Sequence, residues 1–77
     1  MARSTETPSR AARRSLEMLA RAMRGAIGNL RAAAETLELY PGATPERRAR
    51  LFAVLAEESN RLAGQIETLE RLAAGEP

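Results

Sequence analysis

The chain has 77 residues, with twelve Arg and ten Glu for a net charge of +2, and contains no His, Cys, Asp, Lys or Trp. That length allows at most one domain with a small core. The missing residue types exclude a disulfide framework and a structural zinc site, so no catalytic residue, metal or cofactor is expected. No apolar run of about 18 residues is present, so no membrane span is expected. The opening residues Met1 to Glu6 lack an apolar signal core, which makes the cytoplasm the expected location.

In chain order, residues 1–7 are expected to form a disordered N-terminus. Thr7-Pro8 then marks a helix start, with Thr as N-cap and Pro at the first helical position, where its missing N–H costs nothing. The first helix should run over about residues 8–39. Arg10, Arg13 and Arg14 oppose the macrodipole there, as at a frayed end or a helix continuing from an upstream domain. Pro41-Gly42 stops it, and residues 40–44 form the loop. Thr44-Pro45 repeats the opening device, with Glu46 favourably placed in the first turn. The second helix should cover about residues 45–74, with Gly75 placed to end it and residues 75–77 as a tail. So short a loop makes the two helices antiparallel.

Heptad spacing dominates both helices. Leu16, Leu19, Met23, Ala26, Leu30, Ala33, Leu37 and Tyr40 alternate steps of three and four, as a and d positions do. Ala20, Ile27 and Ala34 widen that stripe on one edge; Ser15, Ala22, Asn29 and Thr36 border the other. In the second helix Phe52, Leu55, Ser59, Leu62, Ile66, Leu69 and Ala73 form the stripe, widened by Leu51, Val54 and Leu72. A two-stranded seam needs only a and d, so stripes this wide suit helices that each touch two neighbours. The predicted fold class is therefore all-α: an antiparallel helical hairpin that dimerises into a four-helix bundle. The expected interface and core residues are Leu16, Leu19, Met23, Ile27, Leu30, Leu37, Phe52, Leu55, Leu62, Ile66 and Leu69. Ser59, a lone polar group in the stripe, either bonds back to a carbonyl four residues earlier or helps to fix register.

Charges mark the outer faces. Glu17–Arg21, Arg31–Glu35, Glu46–Arg50, Glu57–Arg61 and Glu67–Arg71 are spaced for i,i+4 pairing. Glu57-Glu58, and Glu67 with Glu70, read as solvated faces rather than metal-binding carboxylate pairs. Gly25 and Gly28 imply a kink, a close helix approach or simple tolerance at exposed positions. Residues 1–31 carry seven Arg and two Glu (+5), and residues 32–77 five Arg and eight Glu (−3). A basic first half is compatible with nucleic acid. No aromatic residue lies among these arginines to stack on a base, and a solvated helix face is the preferred reading.

Residues 21–37 resemble the phosphoacceptor helix of sensor histidine kinases, H-E-L-R-x-P-L-x-x-I-x-x-x-x-E-x-L, through Arg24, Ile27, Leu30, Glu35 and Leu37. Residues 50–66 resemble that family's second helix, R-x-x-x-x-I-x-x-E-x-x-R-L-x-x-L-I, through Glu58, Arg61, Leu62 and Ile66. The resemblance spans residues 16–74 and implies a dimerisation hairpin. Arg21 stands at the place of the phosphorylated histidine, Ala22 at that of the acid and Ala26 at that of the kinking proline. The heptad puts Arg21 outward, as a phosphoacceptor would be, but arginine cannot relay a phosphoryl group in that mechanism. Residues 31–37, Tyr40-Pro41-Gly42 and residues 56–59 also resemble a His-less version of the hairpin that accompanies proofreading-exonuclease-like proteins. The expected function is thus a non-catalytic homodimerisation module, either a fragment of a parent protein with further domains or a stand-alone relic of a signalling scaffold. The alternatives are an oligomerising helper of a nucleic-acid-processing, exonuclease-like protein, or an adapter that forms mixed dimers with a histidine kinase.

Overall fold

A computed structural model describes residues 9–75. Two helices, α1 (Arg10–Leu39) and α2 (Pro45–Ala73), pack along their lengths as a hairpin, with no strand among the described residues. The all-α hairpin expected from the heptads is the fold observed.

The helix ends follow from local hydrogen bonding. Ser9 caps α1, its hydroxyl oxygen accepting from the Ala12 N–H at 3.0 Å. Thr7-Pro8, the expected start, and the terminus before it lie outside the described residues. Within them the first turn begins at Arg10, because the Ser9 side chain satisfies an N–H that the helix leaves open. Thr44 caps α2 as expected, accepting from the Arg47 N–H at 3.2 Å, with Pro45 in the first turn. The Tyr40 N–H donates to the Thr36 carbonyl at 3.1 Å, and the Ala43 N–H to the Tyr40 carbonyl at 3.1 Å, closing a turn around Pro41-Gly42. After α2 the chain reverses at Gly75, whose φ of +80° only glycine adopts without strain.

One seam joins the helices. From α1 it takes Leu19, Met23, Leu30 and Leu37, half-buried, around Ala26 and Ala33, which are 2% and 5% exposed. From α2 it takes Leu51, Leu55, Glu58, Leu62, Gln65 and Leu72, all half-buried. The two alanines are the only buried residues among those described, because their small side chains let the helix axes come close. Among the described residues no large side chain is fully enclosed. One helix-on-helix contact cannot surround a leucine.

α1 runs through Gly25 and Gly28 without a break, both glycines are exposed, and a Cβ on either would meet nothing within 4 Å. They are thus not at a close helix approach within the hairpin. Alanine at each should lower the entropy of the unfolded chain and stabilise the fold by about 0.5–1 kcal/mol. A thermal melt of G25A/G28A is expected to rise accordingly; an unchanged or lowered Tm would show that one glycine faces a neighbour.

The five i,i+4 ion pairs do not form. Among the described residues Arg61 instead turns its Nε to Glu58 Oε1 at 3.6 Å, an i,i+3 pair. Exposed pairs gain little against the entropy of two long side chains. Glu58 differs because it is held in the seam, its side chain only 13% exposed. Its reading as part of a solvated carboxylate face is therefore corrected. The back-bonding considered for Ser59 is made by other residues: Thr36 Oγ1 donates to the Ala32 carbonyl at 2.8 Å, and Thr68 Oγ1 to the Gly64 carbonyl at 3.1 Å.

A candidate self-association face

The seam divides the hairpin into two unlike sides. On one, Ala22, Gly25, Asn29, Ala32 and Thr36 of α1 border Val54, Glu58, Arg61 and Gln65 of α2. This side is small and polar. Glu58 Oε1 and Gln65 Oε1 are buried at its edge without a hydrogen-bond partner. A buried acceptor without a hydrogen bond costs free energy that the 3.6 Å contact with the exposed Arg61 offsets little, and leucine in place of Glu58 would instead extend the Leu51–Leu72 row. Glu58→Leu should therefore stabilise the hairpin by about 1 kcal/mol, read as a higher denaturant midpoint with the helical signal unchanged. A lower midpoint would mean that the contact with Arg61 outweighs the cost of burying Glu58.

The other side is apolar. Ala20, Ile27 and Ala34 recur every seven residues on α1, and Phe52, Ser59, Ile66 and Ala73 do so on α2. Each set lies one step from the seam, on the edge away from Asn29 and Arg61. Phe52 is 52% exposed, Ile27 43%, Ile66 41%, Leu69 38% and Leu16 37%. An Arg48 guanidinium 5.8 Å from the Phe52 ring centre supplies a cation–π contact but leaves most of the ring in water. Tyr40, at the loop end, is 60% exposed.

Of the eleven residues expected at the interface and core, Leu19, Met23, Leu30, Leu37, Leu55 and Leu62 lie half-buried at the seam. Leu16, Ile27, Phe52, Ile66 and Leu69 lie exposed on the apolar side. The stripe expected of α2 is therefore split between two surfaces. Its row Phe52, Ser59, Ile66 and Ala73 is not the row that packs on α1; Leu51, Glu58, Gln65 and Leu72 take that place. Glu58 and Gln65 were missed because neither is apolar, although the seven-residue step from Leu51 to Leu72 runs through both. Arg21 is exposed, on the outward face the heptad predicts.

The whole chain exposes 6297 Å². A folded monomer of 8.4 kDa is expected to expose about 4,600 Å². A single helix-on-helix layer leaves both outer sides of the hairpin open, and a stable protein interface removes about 800 Å² per partner. Among the described residues no group of three or more acidic, His or Cys side chains converges on a point that could hold a metal. Among the same residues no helix is long and apolar enough to cross a membrane.

These features define a class: a helical hairpin whose second apolar surface lacks a partner among the described residues. No family model matches the chain, and no curated protein or solved structure shows significant similarity to it.

Proposed function

We propose that this chain is a non-catalytic homodimerisation module, acting in the cytoplasm, in which two hairpins join through their apolar sides as a four-helix bundle. One observation carries the reading: Phe52, Ile27, Ile66 and Leu69 stand open on a single side, beside a seam that encloses nothing larger than alanine. Burial of such side chains stabilises by about 1.5–3 kcal/mol each, and the hairpin alone does not realise it. A second copy always offers a surface of the same shape, so a two-fold pairing is the simplest closure. Sedimentation equilibrium at micromolar concentration should give 16.8 kDa, twice the 8.4 kDa chain. A well-folded species of single-chain mass would overturn the proposal.

The similarity to the histidine kinase hairpin supports the dimerising role and points away from phosphotransfer, since Arg21 stands at the phosphoacceptor place. Arg21 is exposed, and a surface arginine contributes only a few tenths of a kcal/mol, about 0.5 at most. Arg21→His should leave mass and melting temperature unchanged and gain no phosphorylation from ATP. Incorporation of radiolabelled phosphate would reject the non-catalytic reading.

A further inference from the structure

Resting on the self-association reading above, we propose that the two hairpins pair with their loops at the same end. The two-fold axis then runs parallel to the helices, and α1 of each copy packs on α2 of the other. The opposite-end alternative sets α1 on the partner's α1 and α2 on the partner's α2. Residue size and charge along the apolar side separate the two.

Heights along the hairpin come from the shared grooves. Ala33 borders one groove with Leu51 and Val54, Ala26 another with Glu58, Arg61 and Gln65, and Leu16 a third with Leu69 and Leu72. Counting along antiparallel helices from those anchors sets Ala34 level with Phe52, Ile27 with Ser59, and Ala20 with Ile66. Each level on the apolar side thus holds one small and one large residue, and the large one changes helix from level to level.

A two-fold axis parallel to the helices keeps every residue at its own height. Phe52 then lies on the partner's Ala34, Ile27 on the partner's Ser59, and Ile66 on the partner's Ala20. Every contact sets large against small and occurs twice, which lets layers interdigitate at the density of a protein interior. Opposite-end pairing about the middle level sets Ile27 on the partner's Ile27 and Phe52 on the partner's Ile66. It leaves Ser59 on the partner's Ser59 and Ala20 on the partner's Ala34. Large on large overpacks one place and small on small leaves a void at another.

Charge agrees with size. One turn beyond the apolar row, α1 carries Arg24 and Arg31, and α2 carries Ala56, Ala63 and Glu70, all exposed. Same-end pairing lays the aliphatic stems of Arg24 and Arg31 along the partner's Ala63 and Ala56, with the guanidinium groups in water. It also brings Arg13 within a turn of the partner's Glu70. Opposite-end pairing sets Arg24 level with the partner's Arg31, twice per dimer, and like charges at such a rim disfavour that docking.

The chain has no native cysteine, and Gly42 is an exposed loop residue whose Cβ would meet nothing within 4 Å. A nitroxide on Gly42→Cys therefore reports the separation of the two loops by double electron–electron resonance. Helix axes in a bundle lie about 8–10 Å apart, so same-end pairing predicts a label separation below about 30 Å. Opposite-end pairing separates the labels by at least the length of α1, about 45 Å for its 30 residues. A peak beyond 45 Å would overturn the same-end topology while leaving the dimer intact. The absence of any intermolecular distance, together with a single-chain mass in solution, would overturn the self-association reading itself, and another partner would then cover this side.

Discussion

Ile66→Glu is expected to reduce the particle to the mass of one chain. Ile66 is 41% exposed on the isolated hairpin, so a carboxylate there can stay hydrated and costs the hairpin little. In the proposed dimer the same position is covered by the partner's Ala20, and the two-fold symmetry buries two unpaired carboxylates at once. An ion removed from water without a partner costs several kcal/mol after relaxation, and two of them exceed what an interface of this size supplies. Light scattering should therefore shift from 16.8 kDa to 8.4 kDa, with loss of melting cooperativity, since few large side chains are enclosed without the partner. Retained dimer mass would mean that the apolar side of α2 is not the interface. Glu58→Leu, on the opposite side of the hairpin, is the matched control and should leave the mass unchanged.

Leu30→Ala and Leu62→Ala should each destabilise by about 2–5 kcal/mol per site, the range for leucines that a core encloses. Both residues are only half-buried at the seam of the single hairpin. In a lone hairpin the removed atoms would already be partly wet and the surroundings could close over the gap, so the loss there would be only about 1 kcal/mol. The size of the effect therefore reports whether a second layer covers the seam. Chemical denaturation at two protein concentrations makes the test specific. A large loss that depends on concentration places both leucines in a dimer core, whereas a loss of about 1 kcal/mol at either concentration leaves them at the edge of a lone hairpin.

Element type and boundaries were legible because they depend on neighbours in the chain. Thr44-Pro45 at the start of α2, the stop at Pro41-Gly42 and the reversal at Gly75 are each made by bonds that close within one turn. The start expected for α1 at Thr7-Pro8 lies outside the described residues; among those described, Ser9 caps the helix by a bond of the same local kind, to the Ala12 N–H.

The candidate face was legible as composition but not as placement. The width of both stripes announces two surfaces on each helix, yet spacing leaves open which row packs within the hairpin and which stays open. That choice follows from the rotation of α2 about its own axis, which decides which of its residues meet Ala26 and Ala33 of α1. The rotation that sets Leu51, Leu55, Leu62 and Leu72 against α1 also carries Glu58 and Gln65 inward and turns Phe52 and Ile66 out. Local hydrogen bonding makes a helix from its own residues. Which of its sides is buried depends on a contact between segments some thirty residues apart, and no local pattern records that contact.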